Sequence, residues 1–330
     1  MKVDLVAHHS IQSGCIEPII NNLNPRFQCS LRIGANFAPD NGEMAIVTDH
    51  LAFQKYVTKK YFKYLVHASH DLSDIDIYKT ERKRLSEFDL ILCPGVIHYE
   101  QCRRYLPKVT TVPVGWMKYD QMPSKRYRFG TKRPRGLLLA LTDVGYSPWK
   151  KVLDELVKLD IPVYIKNHVY YDADLGLQPP PGVEEEYAKH ISELKKFQLY
   201  IATNNFSKVI TLDPKAPITD FFHLVDVLVT DWSSAAVEFL PFGESIEIGK
   251  FPRKNLYDEN EIKPSSSKII SEVTFVDFKE LEHQVSKMIE EGVHSQQTRG
   301  TRSFGEFCFT PTEHSRVFAA DVVNSIFLTD

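Results

Sequence analysis

Cysteine is scarce and poorly placed for either of its structural uses. The 330 residues contain five, Cys15, Cys29, Cys93, Cys102 and Cys308. The count is odd and no C-x-x-C occurs, so the spacings suit neither a disulfide framework nor a zinc site. Reduced, buried thiols in a cytoplasmic protein are expected. The nucleotide and hydrolase signatures are absent too: no G-x-G-x-x-G, no G-x-x-x-x-G-K-S/T, no G-x-S-x-G and no H-E-x-x-H. Their absence counts against a dinucleotide dehydrogenase, a P-loop NTPase, an α/β-hydrolase and a zincin. No apolar run approaches the roughly 18 residues that a membrane-spanning helix needs. Met1 to Ala7 is too short and too charged for a signal peptide and reads as a first strand. The net charge of −3 supplies no whole-chain basic field for nucleic acid. Any membrane contact is therefore expected at the surface only. No internal repeat or low-complexity tract is present.

What is present is a globular composition, 43% hydrophobic and 25% charged, at a length that suits two α/β domains. Apolar runs read as strands at Val3 to Ala7, Phe27 to Ile33, Met44 to Thr48, Tyr64 to Val66, Phe88 to Cys93 and Val109 to Val114. Helical patterns separate them, among them Gly14 to Leu23, Leu51 to Tyr61 and Val96 to Tyr105. A second block repeats the alternation from Gly136, with strands at Leu137 to Leu141, Ile161 to Ile165, Lys208 to Leu212 and Asp226 to Thr230. Its helices are expected at Trp149 to Leu159, Glu185 to Gln198, Ile218 to Val225 and Phe278 to Glu290, with a last one at Val317 to Leu328. Such alternation predicts doubly wound parallel sheets, whose ligands sit beyond the strand carboxyl ends. The expected division is residues 1–122, a basic linker at 123–135, a second domain at 136–312, and a final helix at 313–330 that returns to the first domain. The linker carries Lys125, Arg126, Arg128, Lys132, Arg133 and Arg135. It reads as solvated charge, or as a docking patch for an anionic surface.

Asp226 to Ile248 is the most informative stretch. An apolar β-branched run ends in Asp231-Trp232-Ser233-Ser234, and a helix is expected from Ala235 to Phe239. Ser233 and Ser234 are residues that accept from the free N–H groups of a helix start. A helix starting at the end of a parallel strand suits a phosphate, and an ordinary capped βα turn has the same pattern. Both readings stay open on these residues alone.

Polar residues follow the other strands as well. In the second block these are Thr142-Asp143, Lys166-Asn167-His168 and Asp213. In the first they are His8-His9-Ser10, Asp49-His50, His67 to Asp71 and Gly115. Two such rims facing each other would line an interdomain cleft. His67 and His70 are each of the type that serves as a general base near neutral pH. Asp74-Ile75-Asp76 and Asp172-Ala173-Asp174 match D-x-D, a spacing that can hold a metal-bound diphosphate. Two-letter patterns are common by chance, and no metal or other cofactor is expected.

Taken together, these residues resemble the CDP-glycerol glycerophosphotransferases, the teichoic-acid polymerase family. Thr230 to Ser234, followed by Val237-Glu238-Phe239, is similar to the family's T-D-Y-S-S…F-D-F. Lys166-Asn167-His168 falls where the family has R-x-H, and Val114 to Asp120 where it has T-G-x-P-R-x-D. Val66-His67-Ala68-Ser69 falls where it has W-H-G-T. The chain departs from the pattern at Val66, Ala68, Met117 and Lys166, and Glu244-Ser245-Ile246 stands where K-P-I is usual. The resemblance implies a GT-B architecture of two Rossmann-like domains facing a cleft. It implies a donor of the CDP-glycerol type, attack by an acceptor hydroxyl on the β-phosphorus, and departure of CMP. His67 would then be the base and His168 would donate to the diphosphate. Lys166, Thr142, Asp213, Thr230, Asp231, Ser233 and Ser234 would form the donor side, with His70, Gly115 and Lys118 on the acceptor side. The acceptor would be a polyol phosphate or glycan, free or lipid-linked, and the protein would be cytoplasmic, with peripheral contact at the inner face of the cell membrane. Two other readings compete. One is an epimerase of the UDP-N-acetylglucosamine type, drawing on Asp71, Asp143 or Asp213. The other is a non-catalytic nucleotide-binding protein of the same fold.

Overall fold

The fold is seen in a computed structural model. It describes residues 1–7, 16–33, 42–48, 56–69, 72, 77–121, 135–142, 144–145, 147–168, 184–231, 233–249, 274–277, 280, 283 and 314–328. The chain forms two compact units. One is Met1–Met122 with Gly305–Asp330, and the other is Pro123–Phe304.

The first unit is built on six parallel strands: β1 (Lys2–Ala7), β2 (Gln28–Ile33), β3 (Met44–Val47), β4 (Tyr64–Ala68), β5 (Leu90–Cys93) and β6 (Thr110–Pro113). They lie in the order β2-β1-β3-β4-β5-β6. Successive side chains of a strand point to opposite faces, and the sequence fills both. Val3, Leu5, Met44, Ile46, Val66 and Leu90 share one core. Val6, Ala45, Val47, Leu65 and Ile91 belong to another. The final helix, Ser315–Phe327, joins the first of these cores through Ala319, Ala320 and Val323. It is tied on by the backbone N–H of Asn24, which donates to Asn324 Oδ1 at 3.0 Å. At its start the Asp120 carboxylate accepts from the backbone N–H groups of Ser315 at 3.2 Å and Arg316 at 2.8 Å. Two expectations change here. The helix expected at Leu51 to Tyr61 is a series of turns over its described part, residues 56–61. The strand expected to stop at Val66 runs on through His67 to Ala68.

The second unit contains β7 (Leu137–Ala140), β8 (Val163–Ile165), β9 (Val209–Thr211), β10 (Val227–Thr230), β11 (Glu244–Gly249) and β12 (Thr274–Asp277). All are parallel, in the order β12-β11-β10-β7-β8-β9. This is the doubly wound order in which the chain reverses direction across the sheet between its first and fourth strands. The helices Trp149–Leu156 and Glu184–Asn204 cover one face through Val152, Leu153, Leu156, Leu194 and Phe197. Phe222, Phe239 and Phe242 pack on one another, with ring centroids 5.0 and 5.5 Å from Phe222. Residues 122–134, most of the expected linker, lie outside the described residues. Its last member, Arg135, is not a solvated charge. Its guanidinium forks onto Asp226 at 2.8 Å and donates to the His223 carbonyl at 2.9 Å.

Candidate functional site

Doubly wound sheets bind ligands outside the strand carboxyl ends, at the point where strand order reverses. In the second unit that point lies between β7 and β10, and of the expected donor residues Thr142, Thr230, Asp231, Ser233 and Ser234 follow these two strands. Thr230, the last residue of β10, is fully buried, and its hydroxyl donates to the Ala140 carbonyl at 2.5 Å. Asp231 follows, buried at 5% exposure. One of its oxygens accepts from the backbone N–H of Thr142 at 2.7 Å, and the other from the Ser147 hydroxyl at 2.8 Å. The turn after β10 is thereby fixed to the turn after β7. Thr230 and Asp231 spend their polar atoms on building the rim.

Ser233 and Ser234 are half-buried next to this link. The helix behind them is a single turn, Ala235–Glu238. Ser233 Oγ accepts from the backbone N–H of Ala235 at 3.2 Å, whereas Ser234 makes no side-chain cap bond. The expectation that both serines cap a helix is thus corrected. One turn carries little macrodipole, so an anion here would be met by hydroxyls and turn N–H groups.

On the other side of β7, β8 leads into Lys166, Asn167 and His168. Lys166 is buried at 5% exposure. Its ammonium donates to the carbonyls of Asn167 at 3.0 Å and Pro214 at 2.8 Å. It joins the end of β8 to the turn after β9, where the sequence suggested a cation turned toward the donor. Asp213, in that turn, is exposed and accepts from the backbone N–H of Lys215 at 2.8 Å. This is an Asx turn that closes on itself. His168 is half-buried just beyond. Because β8 and β10 are both neighbours of β7, the strands that lead to His168 and to the serine pair stand two strand spacings apart, on the order of 10 Å.

Two residues the sequence reading missed also shape this rim. Ser147 is one, through Asp231. His190 is the other: it is buried, and its Nδ1 accepts from the backbone N–H of Gly145 at 3.2 Å. The ring lies so close to Gly145 that a Cβ there would come within 2.9 Å of it. The signal for His190 was legible. It stands four residues before Leu194 and seven before Phe197, on the buried stripe of its helix.

The expected acceptor residues fall in the first unit. His67 is 1% exposed, inside β4, on the face that carries Leu65. Its ring meets Phe88 edge-on with centroids 5.8 Å apart. That is a core placement and differs from the strand-end position expected of it. Gly115 has φ of 90°, a conformation that favours glycine. It starts a turn in which Trp116 is 1% exposed and Lys118 Nζ lies 5.1 Å from the indole centroid. The turn leads directly to Asp120 under the final helix. His70, Asp71, Asp143 and both D-x-D motifs lie outside the described residues. Among the described residues, no group of three or more His, Cys, Asp or Glu could hold a metal, and no helix is long and apolar enough to cross a membrane.

No family model and no curated protein matches the chain. Solved structures do. The wall teichoic acid polymerase TagF superposes with a TM-score of 0.55 at 11% identity, over 98% of this chain and 88% of that one. A glycosyltransferase from Rickettsia africae gives 0.51 at 8% identity, over 100% and 99%. Anabaena HepE, solved with UDP and glucose, gives 0.50 at 10% identity, over 99% and 100%. At such identities the likeness is one of fold, and the fold is the two-sheet α/β arrangement of GT-B type that the resemblance implied.

Proposed function

We propose that this chain is a transferase that takes a nucleotide-diphosphate-activated polyol phosphate or sugar and passes the activated group to an acceptor hydroxyl. The observation that carries the reading is the Asp231 link between the β10 and β7 turns. It prepares a polar rim at the strand-order reversal, in a fold shared with a teichoic acid polymerase and with a UDP-bound protein. Ser233, Ser234 and His168 border this rim, and they would hold the donor diphosphate. Preorganised donors of this kind stabilise charge that develops on phosphate oxygens without reorganising during the step. With CDP-glycerol, the acceptor oxygen bonds to the β-phosphorus as the bond to CMP breaks, and the acceptor proton leaves to a base. His67 is not given that role, because its ring is part of a core. The acceptor would be a polyol phosphate or glycan carried on a lipid at the inner face of the cell membrane. No metal is assigned to the step. The epimerase reading gains nothing from Asp213, whose carboxylate closes its own turn.

The test is incubation of the full chain with radiolabelled CDP-glycerol and UDP-N-acetylglucosamine, with and without acceptor. Acceptor-dependent release of CMP or UDP is expected. His168→Ala should lower it at least a hundredfold, about 3 kcal/mol of transition-state stabilisation, with an unchanged circular dichroism spectrum. A changed sugar, binding without turnover, or normal turnover in His168→Ala would overturn the reading.

A further inference from the structure

The chain is net negative, at −3, yet one edge of the first sheet gathers positive charge. The amino-terminal ends of β4, β5 and β6 are adjacent, because these strands are neighbours in the sheet. Residues 56–63 lead into β4, residues 81–89 into β5 and residues 103–109 into β6. Exposed on these segments are Lys60, Lys63, Arg82, Lys83, Arg103 and Lys108. The acids nearby among the described residues are Glu43, which acts on Lys63, and Glu81, Glu87, Asp89 and Glu100, of which Asp89 is already paired with Lys59 at 2.5 Å. Arg103 stands in the last turn of the ten-residue helix Val96–Tyr105, where a cation offsets the macrodipole, whereas Arg82 and Lys83 lie in the single turn Arg82–Leu85, which carries little. Lys60, Lys63 and Lys108 lie outside helices, so that explanation does not cover them.

Aromatic rings are interleaved with the cations. Tyr61, Tyr99 and Tyr105 are half-buried against the core below. Lys60 Nζ lies 5.2 Å from the Tyr61 centroid, and the Arg103 guanidinium 5.8 Å from that of Tyr99. Tyrosines with an apolar body and a wet tip suit a membrane–water boundary. A cavity of about 190 Å³ opens on the same edge, lined by Tyr99, Arg103, Leu106, Pro107, Val109 and Thr111. It has room for one phosphate-bearing headgroup and none for a polymer strand, which would need a continuous basic groove. This edge is the opposite end of the strands from the carboxyl rim where ligands of such sheets bind.

We propose that the amino-terminal edge of the first sheet, centred on Lys60, Lys63 and Lys108, docks on the surface of an anionic lipid bilayer. The docking extends the proposed transfer to a lipid-borne acceptor, but its test uses no donor, so either reading can fail alone.

The test is flotation of the full chain with phosphatidylcholine vesicles and with vesicles containing about one-third phosphatidylglycerol. Binding is expected only to the anionic vesicles, and it should fall as salt is raised. Lys60→Gln/Lys63→Gln/Lys108→Gln should weaken it roughly a hundredfold, about fivefold for each charge near the surface. These side chains are exposed, and an unchanged thermal midpoint will show that the fold is intact. The single variant Lys60→Gln and the wild-type salt titration give the same reading without the triple change. Equal binding to neutral vesicles, no binding to anionic ones, or undiminished binding by the triple variant would overturn the proposal. So would capture by soluble polyphosphate without flotation, which would point to a polymer instead.

Discussion

The Asp231 carboxylate accepts a 2.7 Å hydrogen bond from the backbone N–H of Thr142, 89 residues earlier in the chain. The two residues lie in the turns that follow neighbouring strands on either side of the reversal in strand order. Removing the carboxylate strands a backbone donor and the Ser147 hydroxyl. Asp231→Ala should therefore cost about 1–3 kcal/mol of stability, read by urea unfolding, and should abolish donor binding. Asp231→Asn keeps one acceptor for Thr142 and should retain most of the stability. If the alanine variant unfolds at the wild-type urea midpoint, the link is not structural.

Gly243 is predicted to be irreplaceable for a different reason. A Cβ at that position would lie 2.1 Å from the Asp226 carbonyl oxygen and 2.8 Å from Phe239. The same carbonyl accepts from the backbone N–H of Glu244 at 3.0 Å as β10 and β11 begin to pair. Backbone cannot yield there without breaking that pairing. Gly243→Ala should cost about 3 kcal/mol or more, measured by chemical denaturation. A loss below about 1 kcal/mol would mean the strands adjust.

Arg135 and Asp226 make a forked pair that also fixes the Arg135 backbone, whose N–H donates to Asp226 at 2.7 Å. Lysine keeps the charge and loses the fork. Arg135→Lys should cost about 1–2 kcal/mol, a range set low because the guanidinium is one-third exposed. Raised salt should recover little of the loss, since its origin is geometric. Identical stability of the two proteins across salt concentrations would count against the fork.

Burial holds the Asp120 carboxyl above the usual 3.8, and the N–H groups of Arg316 and Ser315 offset only part of that rise. A raised carboxyl binds its proton more tightly in the folded chain than in the unfolded one. Its contribution is fully present below pH 3.8 and is lost as pH rises through the raised value. Asp120→Asn cannot ionise and lacks this slope. As pH rises from 3.8 through the raised value, wild type should lose stability relative to the variant. Denaturant titrations at several pH values measure the difference, and a constant difference would remove the assignment.

Apolar β-branched runs broken at regular intervals by polar residues determined the parallel α/β class. The order of the polar motifs determined the resemblance, because strand and turn chemistry are local. Thr230 to Ser234 was legible for that reason. Tertiary structure decided what each polar atom does. Nothing local to Lys166 says that its ammonium will meet the Pro214 carbonyl, 48 residues away. Nothing near Arg135 says that it will leave the linker for Asp226. His67 shows the limit most clearly. Extending β4 by two residues moved it from a strand end into the core, because a side chain's face follows from register, and register is set by the neighbouring strands.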